Sequence, residues 1–298
     1  MMESGGVRVM FKKLVAHIFK VADQNFSEAT ESLVKFINAA DNFTAILEQI
    51  GTIPEAIIHD STEEKLFSKA SDIVLSRAFR EIGLKSTIVR ERADSADVQA
   101  ESSLFEYTLV ADAKTFRMSR TAKNQKDFKV GALSGWRKDA NYAVLCAPYF
   151  QYPKSQSQIF AQSIENNVCL LSWEYFIFMI RHGIKENPKL NLSPLWNYGE
   201  ELSRTVVVAD KKKRFLTEYN HVFLSTIGCQ SKDYAKILTK QISIITRRGT
   251  TEKAFWENEK NNILKYSKKQ AIEELIRAKK INEKIRQIEQ YIGGLRDD

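Results

Sequence analysis

Two aspartates and a lysine in β-patterned sequence constrain this chain more than any other feature. Asp97 is followed, after fourteen residues, by Asp112-Ala113-Lys114, which ends the apolar stretch 107–111. Side chains alternate between the two faces of a strand, so Asp112 and Lys114 project from the same side at the strand's end. Because a charge in apolar surroundings is costly without a partner, these groups require each other or a metal ion.

This pattern supports two interpretations. Two acids and a lysine can hold a divalent metal and a water beside a phosphodiester, as in metal-dependent nucleases. A salt bridge between Asp112 and Lys114 is the plainer interpretation, and the acid-x-lysine pattern also occurs at 63–65, 127–129 and 210–212. The second acid favours the nuclease, because Asp97 opens an extended stretch, 98–102, that is predicted to form a hairpin with the Asp112 strand.

A basic segment follows directly and predicts contact with nucleic acid. Its cations recur at every third position from Arg117 to Lys129, among hydroxyl and amide side chains. Lysine and arginine suit phosphates or guanine edges, and amides suit adenine edges, whereas an acid suits cytosine amino groups or a lysine partner. A solvated helix face is the alternative, since later residues of the segment predict a helix with one buried face, made of Phe128, Ala132, Leu133 and Trp136. The candidate DNA-binding residues are Arg117, Arg120, Lys123, Asn124, Gln125, Lys126, Asp127 and Lys129.

The run of residues 110–130 closely resembles the corresponding segment of the HindIII type II restriction endonucleases. Shorter stretches agree in the same order between about residues 25 and 200, and the likeness thins toward the C-terminus. These stretches are 53–57, 61–62, 64–70, 72–75, 142–145, 150–153, 157–160 and 172–174. Chance does not supply so many collinear matches, so the signal is strong.

The resemblance implies a PD-(D/E)xK nuclease: a central mixed β-sheet flanked by helices, which cuts double-stranded DNA with Mg²⁺ and acts as a homodimer on a palindrome. For this family the implied target is AAGCTT, cut between the adenines to leave 5′ overhangs and 5′-phosphates. A cognate methyltransferase is expected without a stable complex. The proline of the motif is replaced by Ala96.

Roles follow residue by residue from this resemblance. Asp97 and Asp112 are expected to ligate the metal with the Ala113 carbonyl, and Lys114 to orient the attacking water. Glu64 aligns with a glutamate of the family pattern and is a candidate catalytic acid. Two alternatives stay open: Ser61 and Glu64 have the spacing of a capping box, and Glu101 is a rival fourth acid.

Composition agrees with a polyanionic partner and argues against a membrane span. The net charge of +8 favours phosphate binding, although anionic membrane surfaces also attract basic chains. The apolar run 168–180 is interrupted by Glu174 and is shorter than the roughly 20 residues that cross a bilayer. Three cysteines without metal-ligand spacing, Cys146, Cys169 and Cys229, predict buried thiols in a reducing cytoplasm.

Periodicity predicts a mixed α/β fold with helical additions at both ends, forming one domain over 1–298. Two helices are expected within 7–50 as part of an N-terminal region, 1–60. A catalytic core, 61–200, begins with a helix over 62–82 and continues with strands near 87–91, 97–102, 106–115, 142–147 and 168–172. A mainly helical part, 201–298, carries an apolar stripe from Ile263 to Ile292 that is expected either to pack on its own core or to contact a second copy.

Two other classes of protein remain compatible with these residues. A repair or transposition nuclease of the same fold would cut structures or ends rather than a short palindrome. A non-catalytic DNA-binding protein would use the same acids only to pair with lysines.

Overall fold

The computed structural model describes residues 3–89, 95–120, 125–153, 157–205 and 208–294. Two compact units are present, 1–248 and 249–298. The expectation of a single domain stays a prediction. Within the described ranges, no helix is long and apolar enough to cross a membrane.

A five-stranded mixed sheet organises the first unit. In spatial order its strands are β2 (Lys85–Ile88), β3 (Val98–Glu101), β4 (Thr108–Ala113), β6 (Tyr142–Ala147) and β7 (Val168–Ser172). The pairs β2/β3 and β3/β4 are antiparallel, whereas β4/β6 and β6/β7 are parallel. The predicted mixed sheet is confirmed, and the central strands are nearly continuous apolar runs because helices cover them.

Helix α4 (Thr62–Glu81) packs against β2, β3 and β4 and positions the functional end of the sheet. Its buried face includes Leu66, Phe67, Ala70, Ile73, Val74 and Ala78, as the sequence pattern predicts. The Ser61 hydroxyl caps the helix by accepting a hydrogen bond from the Glu64 amide at 3.2 Å. On the sheet, α6 (Val130–Trp136) contacts β4 and β6, and α7 (Gln158–Glu165) contacts β7.

The N-terminal region holds three helices where two were expected. They are α1 (Glu3–Val21), α2 (Phe26–Asn38) and α3 (Phe43–Ile50). Phe43 begins the third helix, because the Asn42 side chain caps a new helix by accepting from the Ala45 amide.

A second, two-stranded parallel sheet was not predicted. It pairs β1 (Thr52–Ile53) with β5 (Phe116–Arg117), and the Phe116 amide donates to the Gly51 carbonyl at 3.1 Å. Gly51 is required where α3 turns into β1, because a Cβ there would collide with the Pro148 and Trp173 rings. We call this pair of strands the β1/β5 clip.

The basic segment, 117–129, does not form one helix. Residues 116–117 form a strand, 121–124 lie outside the described ranges, and helix appears only in α5 (Gln125–Phe128) and α6. The predicted buried face is correct for Phe128 and Leu133, whereas Ala132 is exposed and Trp136 is half-buried. Cations at every third residue therefore do not line one helix.

Helices form the rest of the chain. An apolar helix, α8 (Trp173–Arg181), follows β7 and packs against α3, and α9 (Ser193–Trp196) and α10 (Tyr198–Thr205) come next. They lead to α11 (Val208–Ile227), α12 (Ser231–Ile263), α13 (Lys268–Ala278) and α14 (Ile281–Gly294). Cys146 and Cys169 are buried free thiols, as expected, and the free thiol of Cys229 is half-buried.

Candidate active site

Strand register brings the two predicted aspartates together. In the antiparallel pair β3/β4, Val98 lies opposite Ala111, so the next pair outward is Asp97 and Asp112. Directly opposed residues in such a pair have Cβ atoms about 5 Å apart. The fourteen residues between Asp97 and Asp112 therefore form one β-hairpin, which brings the two aspartates opposite each other.

Lys114 completes the predicted trio. Its ammonium contacts the Asp112 carboxylate, and its backbone amide donates to the Cys146 carbonyl of the neighbouring strand at 2.7 Å. Asp112 is buried, whereas 45% of the Asp97 side chain is exposed, so the trio opens to solvent on the Asp97 side. Ala113, the last residue of β4, lies between Asp112 and Lys114, and a role for its carbonyl stays a prediction.

The structure adds a third acid that the sequence analysis did not identify. Asp72 of α4 is 6% exposed, and one oxygen from each of Asp72, Asp97 and Asp112 lies within 4.8 Å of the others. The sequence did contain a signal for Asp72, because it is an acid inside the stretch 70–75, which is largely apolar. The same criterion identified Asp112. Asp72 was missed because a helix gives no strand register to tie the residue to the hairpin.

A second lysine also joins the cluster. The Lys69 ammonium lies 3.3 Å from the Asp97 carboxylate and 3.9 Å from that of Asp72, one turn further along α4. Two ammonium groups therefore face three carboxylates, which leaves one excess negative charge when all are ionised. We call Lys69, Asp72, Asp97, Asp112 and Lys114 the carboxylate cluster.

Burial makes the ionised carboxylates of this cluster costly. Burial, together with the neighbouring Asp97 and Asp112 carboxylates, raises the pKa of Asp72 well above its ordinary value. Burial also raises the pKa of Asp112, although the Lys114 ammonium opposes that rise. A cation bound among these oxygens would favour their ionised forms.

Glu64 and Glu101 lie outside the carboxylate cluster. The Glu64 carboxylate accepts from the Asp60 amide at 2.8 Å and from the Arg117 guanidinium at 2.6 Å. In a capping box it would accept from the amide of Ser61, the N-cap residue, so the contacts show only the Ser61 half of that alternative. The Glu101 carboxylate lies 3.4 Å from the Lys85 ammonium at the other end of β3. A catalytic role for Glu64 stays a prediction that these contacts do not support.

The predicted DNA-binding residues fall into three groups. Arg117 is largely buried and bonds to the Pro54 carbonyl and to Glu64, and Arg120 pairs with Asp127. Lys126 and Lys129 are exposed, and the Lys129 ammonium acts electrostatically on Asp112. Lys123 and Asn124 lie outside the described residues, as does the side chain of Gln125.

Two comparisons with known proteins give matches over nearly the whole chain. The family model of the HindIII restriction endonuclease matches residues 9–291. The type II restriction enzyme HindIII of Haemophilus influenzae is 41% identical over 289 residues, covering 96% of each chain.

Two solved restriction endonucleases are distant matches, each 12% identical. FokI covers 57% of this chain and 32% of its own, with a TM-score of 0.35. The small subunit of the heterodimeric restriction endonuclease R.BspD6I covers 61% of this chain and 98% of its own, with a TM-score of 0.39.

Proposed function

We propose that this chain, which belongs to the HindIII restriction endonuclease family, cuts both strands of AAGCTT between the adenines, using Mg²⁺ and acting as a homodimer. Type II restriction endonuclease activity is the function of this family, and the carboxylate cluster is the observation that supports metal-dependent hydrolysis. A cytoplasmic location, with a cognate methyltransferase that forms no stable complex, completes the proposal.

The residues present fit a magnesium ion. Mg²⁺ prefers hard oxygen ligands and is usually held by one or two carboxylates, with water and substrate phosphate filling the other positions. Asp97 and Asp112 are the proposed ligands, with the Ala113 carbonyl, and Asp72 adds a buried acid from the opposite wall. When bound, Mg²⁺ supplies Lewis acidity at the phosphate and acidifies water.

The chain's own groups would support in-line attack of water on phosphorus. Water forms the new phosphorus–oxygen bond and gives up a proton to solvent, while the bond to the 3′ oxygen breaks and that oxygen takes up a proton, which leaves a 5′-phosphate and a 3′-hydroxyl. Lys114 would donate hydrogen bonds to the water and to the phosphate oxygen, on which negative charge grows. The exposed side of Asp97 gives DNA access to the cluster, because the Asp112 side is sealed.

Basic residues near the cluster divide into positioning and reading groups. Lys129 has a left-handed φ of 52° at the N-cap of α6 and is exposed, so its ammonium suits a phosphate near the cut. Base reading is assigned to 123–127. Arg117 holds the segment in place, because its guanidinium is engaged by Pro54 and Glu64.

The homodimer is supported by the second unit, 249–298. Ile281, Ile285, Ile288 and Ile292 follow one another at spacings of four, three and four along α14, and each is between 38% and 59% exposed. This is the a/d seam of a coiled-coil helix, which requires a partner to cover it. Ile272 and Leu275 extend the apolar surface onto α13, and we propose a second copy as its partner.

One digestion tests the function as a whole. Plasmid DNA with a single AAGCTT site is incubated with protein and Mg²⁺, and the ends are sequenced. We expect linear DNA with 5′-AGCT overhangs, and no cleavage with Asp112→Asn. Structure-dependent nicking would indicate a repair or transposition nuclease, and shifted but intact DNA would indicate a non-catalytic DNA-binding protein.

A further inference from the structure

A buried carboxylate away from the carboxylate cluster holds Ser119, just before the polar run 120–127. Glu55 is 5% exposed, and both of its oxygens contact one residue. The Ser119 backbone amide donates to Oε1 at 3.0 Å, and the Ser119 hydroxyl donates to Oε2 at 2.8 Å. Burying a carboxylate is costly unless it is hydrogen-bonded, so this contact is specific and not incidental.

The residues around this contact are fixed by a second set of bonds. The β1/β5 clip places Thr52 beside Phe116 and Ile53 beside Arg117. The Arg117 guanidinium bonds to the Pro54 carbonyl at 3.1 Å and to Glu64 at 2.6 Å. Residues 116–119 are therefore held by backbone pairing with β1, by the buried Glu55 carboxylate and by the half-buried Glu64 carboxylate.

The position of Ser119 in the chain links this contact to residues that can face a base. Ser119 comes directly before the polar run 120–127, and the Arg120–Asp127 ion pair connects the two ends of that run. Hydrogen-bond readout of a base edge requires donors and acceptors at fixed positions. Because Arg120 is bonded to Ser119, the orientation of Ser119 bears on where the Arg120–Asp127 pair lies.

The geometry points to Glu55 as a positioning residue for sequence specificity. Its carboxylate orients Ser119, and so the adjoining Arg120 with its ion pair to Asp127, without touching DNA. This inference rests on the proposed function. It also connects recognition with cleavage, because Glu64, the second carboxylate that holds residues 116–119, lies on the same helix as Lys69 and Asp72.

The test compares cleavage of AAGCTT with cleavage of duplexes carrying each single-base substitution. For Glu55→Gln we expect the ratio of kcat/KM between AAGCTT and the best substituted site to fall by about tenfold, the order of one misplaced bidentate contact. Ser119→Ala should lower the ratio in the same direction, and Ser119→Thr, which keeps the hydroxyl, should restore it.

Glu186→Gln is the matched control. Glu186 is also a buried glutamate, 6% exposed, which accepts from one hydroxyl, that of Tyr107 at 2.6 Å, and from one backbone amide, that of Leu192 at 3.1 Å. We expect it to lower Tm with the specificity ratio unchanged. Assays are run below the Tm of every variant, and binding of AAGCTT in Ca²⁺ confirms that each is folded.

The outcomes separate the two levels of the proposal. An unchanged ratio in Glu55→Gln and Ser119→Ala, with normal cutting by the wild type, overturns the role of Glu55 and leaves the endonuclease intact. An equal loss in Glu186→Gln also overturns it, because general destabilisation would then explain the effect. Failure of the wild type to cut any DNA overturns both.

Discussion

The carboxylate cluster and the apolar surface of α13 and α14 both depart from the usual rule that charged side chains are exposed and apolar ones are buried. In the first unit, the acids Asp72 and Asp112 are buried, whereas in the second unit Ile285 and Ile288 are about half exposed. Buried charge and exposed apolar surface are both unfavourable in an isolated chain. The comparison fits the two components proposed above: a cation for the first region and a second copy of the chain for the second.

The largest expected effect tests whether the buried acids serve a cation. Asp112→Asn keeps the shape of the side chain and removes its charge, so cleavage in Mg²⁺ should fall by roughly 10³-fold, since metal catalysis supplies several kcal/mol. Single-turnover cleavage of an AAGCTT duplex measures this. Specific binding in Ca²⁺ should remain measurable, and cutting at the normal rate would show that the cluster is only a set of ion pairs.

The exposed isoleucines predict the next effect. Ile285→Glu places a charge in the proposed seam and should weaken the dimer by about thirtyfold or more, the size of an interface hot spot. Analytical ultracentrifugation across a concentration series measures it. Gln290→Glu, on the same helix outside the seam, is the control, and equal dissociation of both variants would remove the seam as the interface.

Asp72 tests whether the buried acids are costly when no metal is bound. Asp72→Asn should raise Tm in EDTA at pH 8 by about 2–4 °C, because it removes a buried acid whose pKa is raised. The sign follows from linkage. A raised pKa means that the folded state holds a proton longer, so wild-type stability falls as pH rises above the ordinary carboxyl range.

The advantage of Asp72→Asn should therefore vanish below pH 4, where both states of the wild type carry that proton. It should also shrink in Mg²⁺, and the variant should cut more slowly. A lower Tm at pH 8 in EDTA would contradict the interpretation.

The last prediction separates burial from metal binding. Glu174 in α8 is 1% exposed, and burial raises the pKa of its carboxyl to about 7. The folded protein should lose stability, on the order of 3 kcal/mol, as pH rises from about 4.5 to about 7, with no further loss above that range.

Glu174→Gln should flatten this slope in urea denaturation. Among the described residues, Glu174 is in no group of potential metal ligands, so Mg²⁺ should stabilise this variant as much as the wild type. A selective change in the Mg²⁺ response would remove the contrast between the two kinds of buried acid.

Local patterns predicted more than tertiary ones. The hairpin of Asp97 and Asp112 and the buried face of α4 follow from short-range periodicity, and both are present. The addition of Asp72 and Lys69 to the cluster depends on how α4 packs against the sheet, which no local period encodes. The basic segment is interrupted because residues 52–53, far away in sequence, pair with residues 116–117.

The C-terminal stripe is a different case. The sequence left open whether it packs on its own core or contacts a second copy, and contact with a second copy stays a proposal. Periodicity defines an apolar surface without naming what covers it.

The β1/β5 clip has an evolutionary consequence. Because residues 116–119 are fastened to 51–55, the polar run beyond them can diverge while the chemistry-bearing strand ends keep their geometry. A lineage that retained the β1/β5 pairing and the Glu55–Ser119 contact could acquire new target sequences by exchanging a few side chains between 120 and 127. Hydrolysis would be inherited unchanged, so protection of the host genome would set the pace of such divergence.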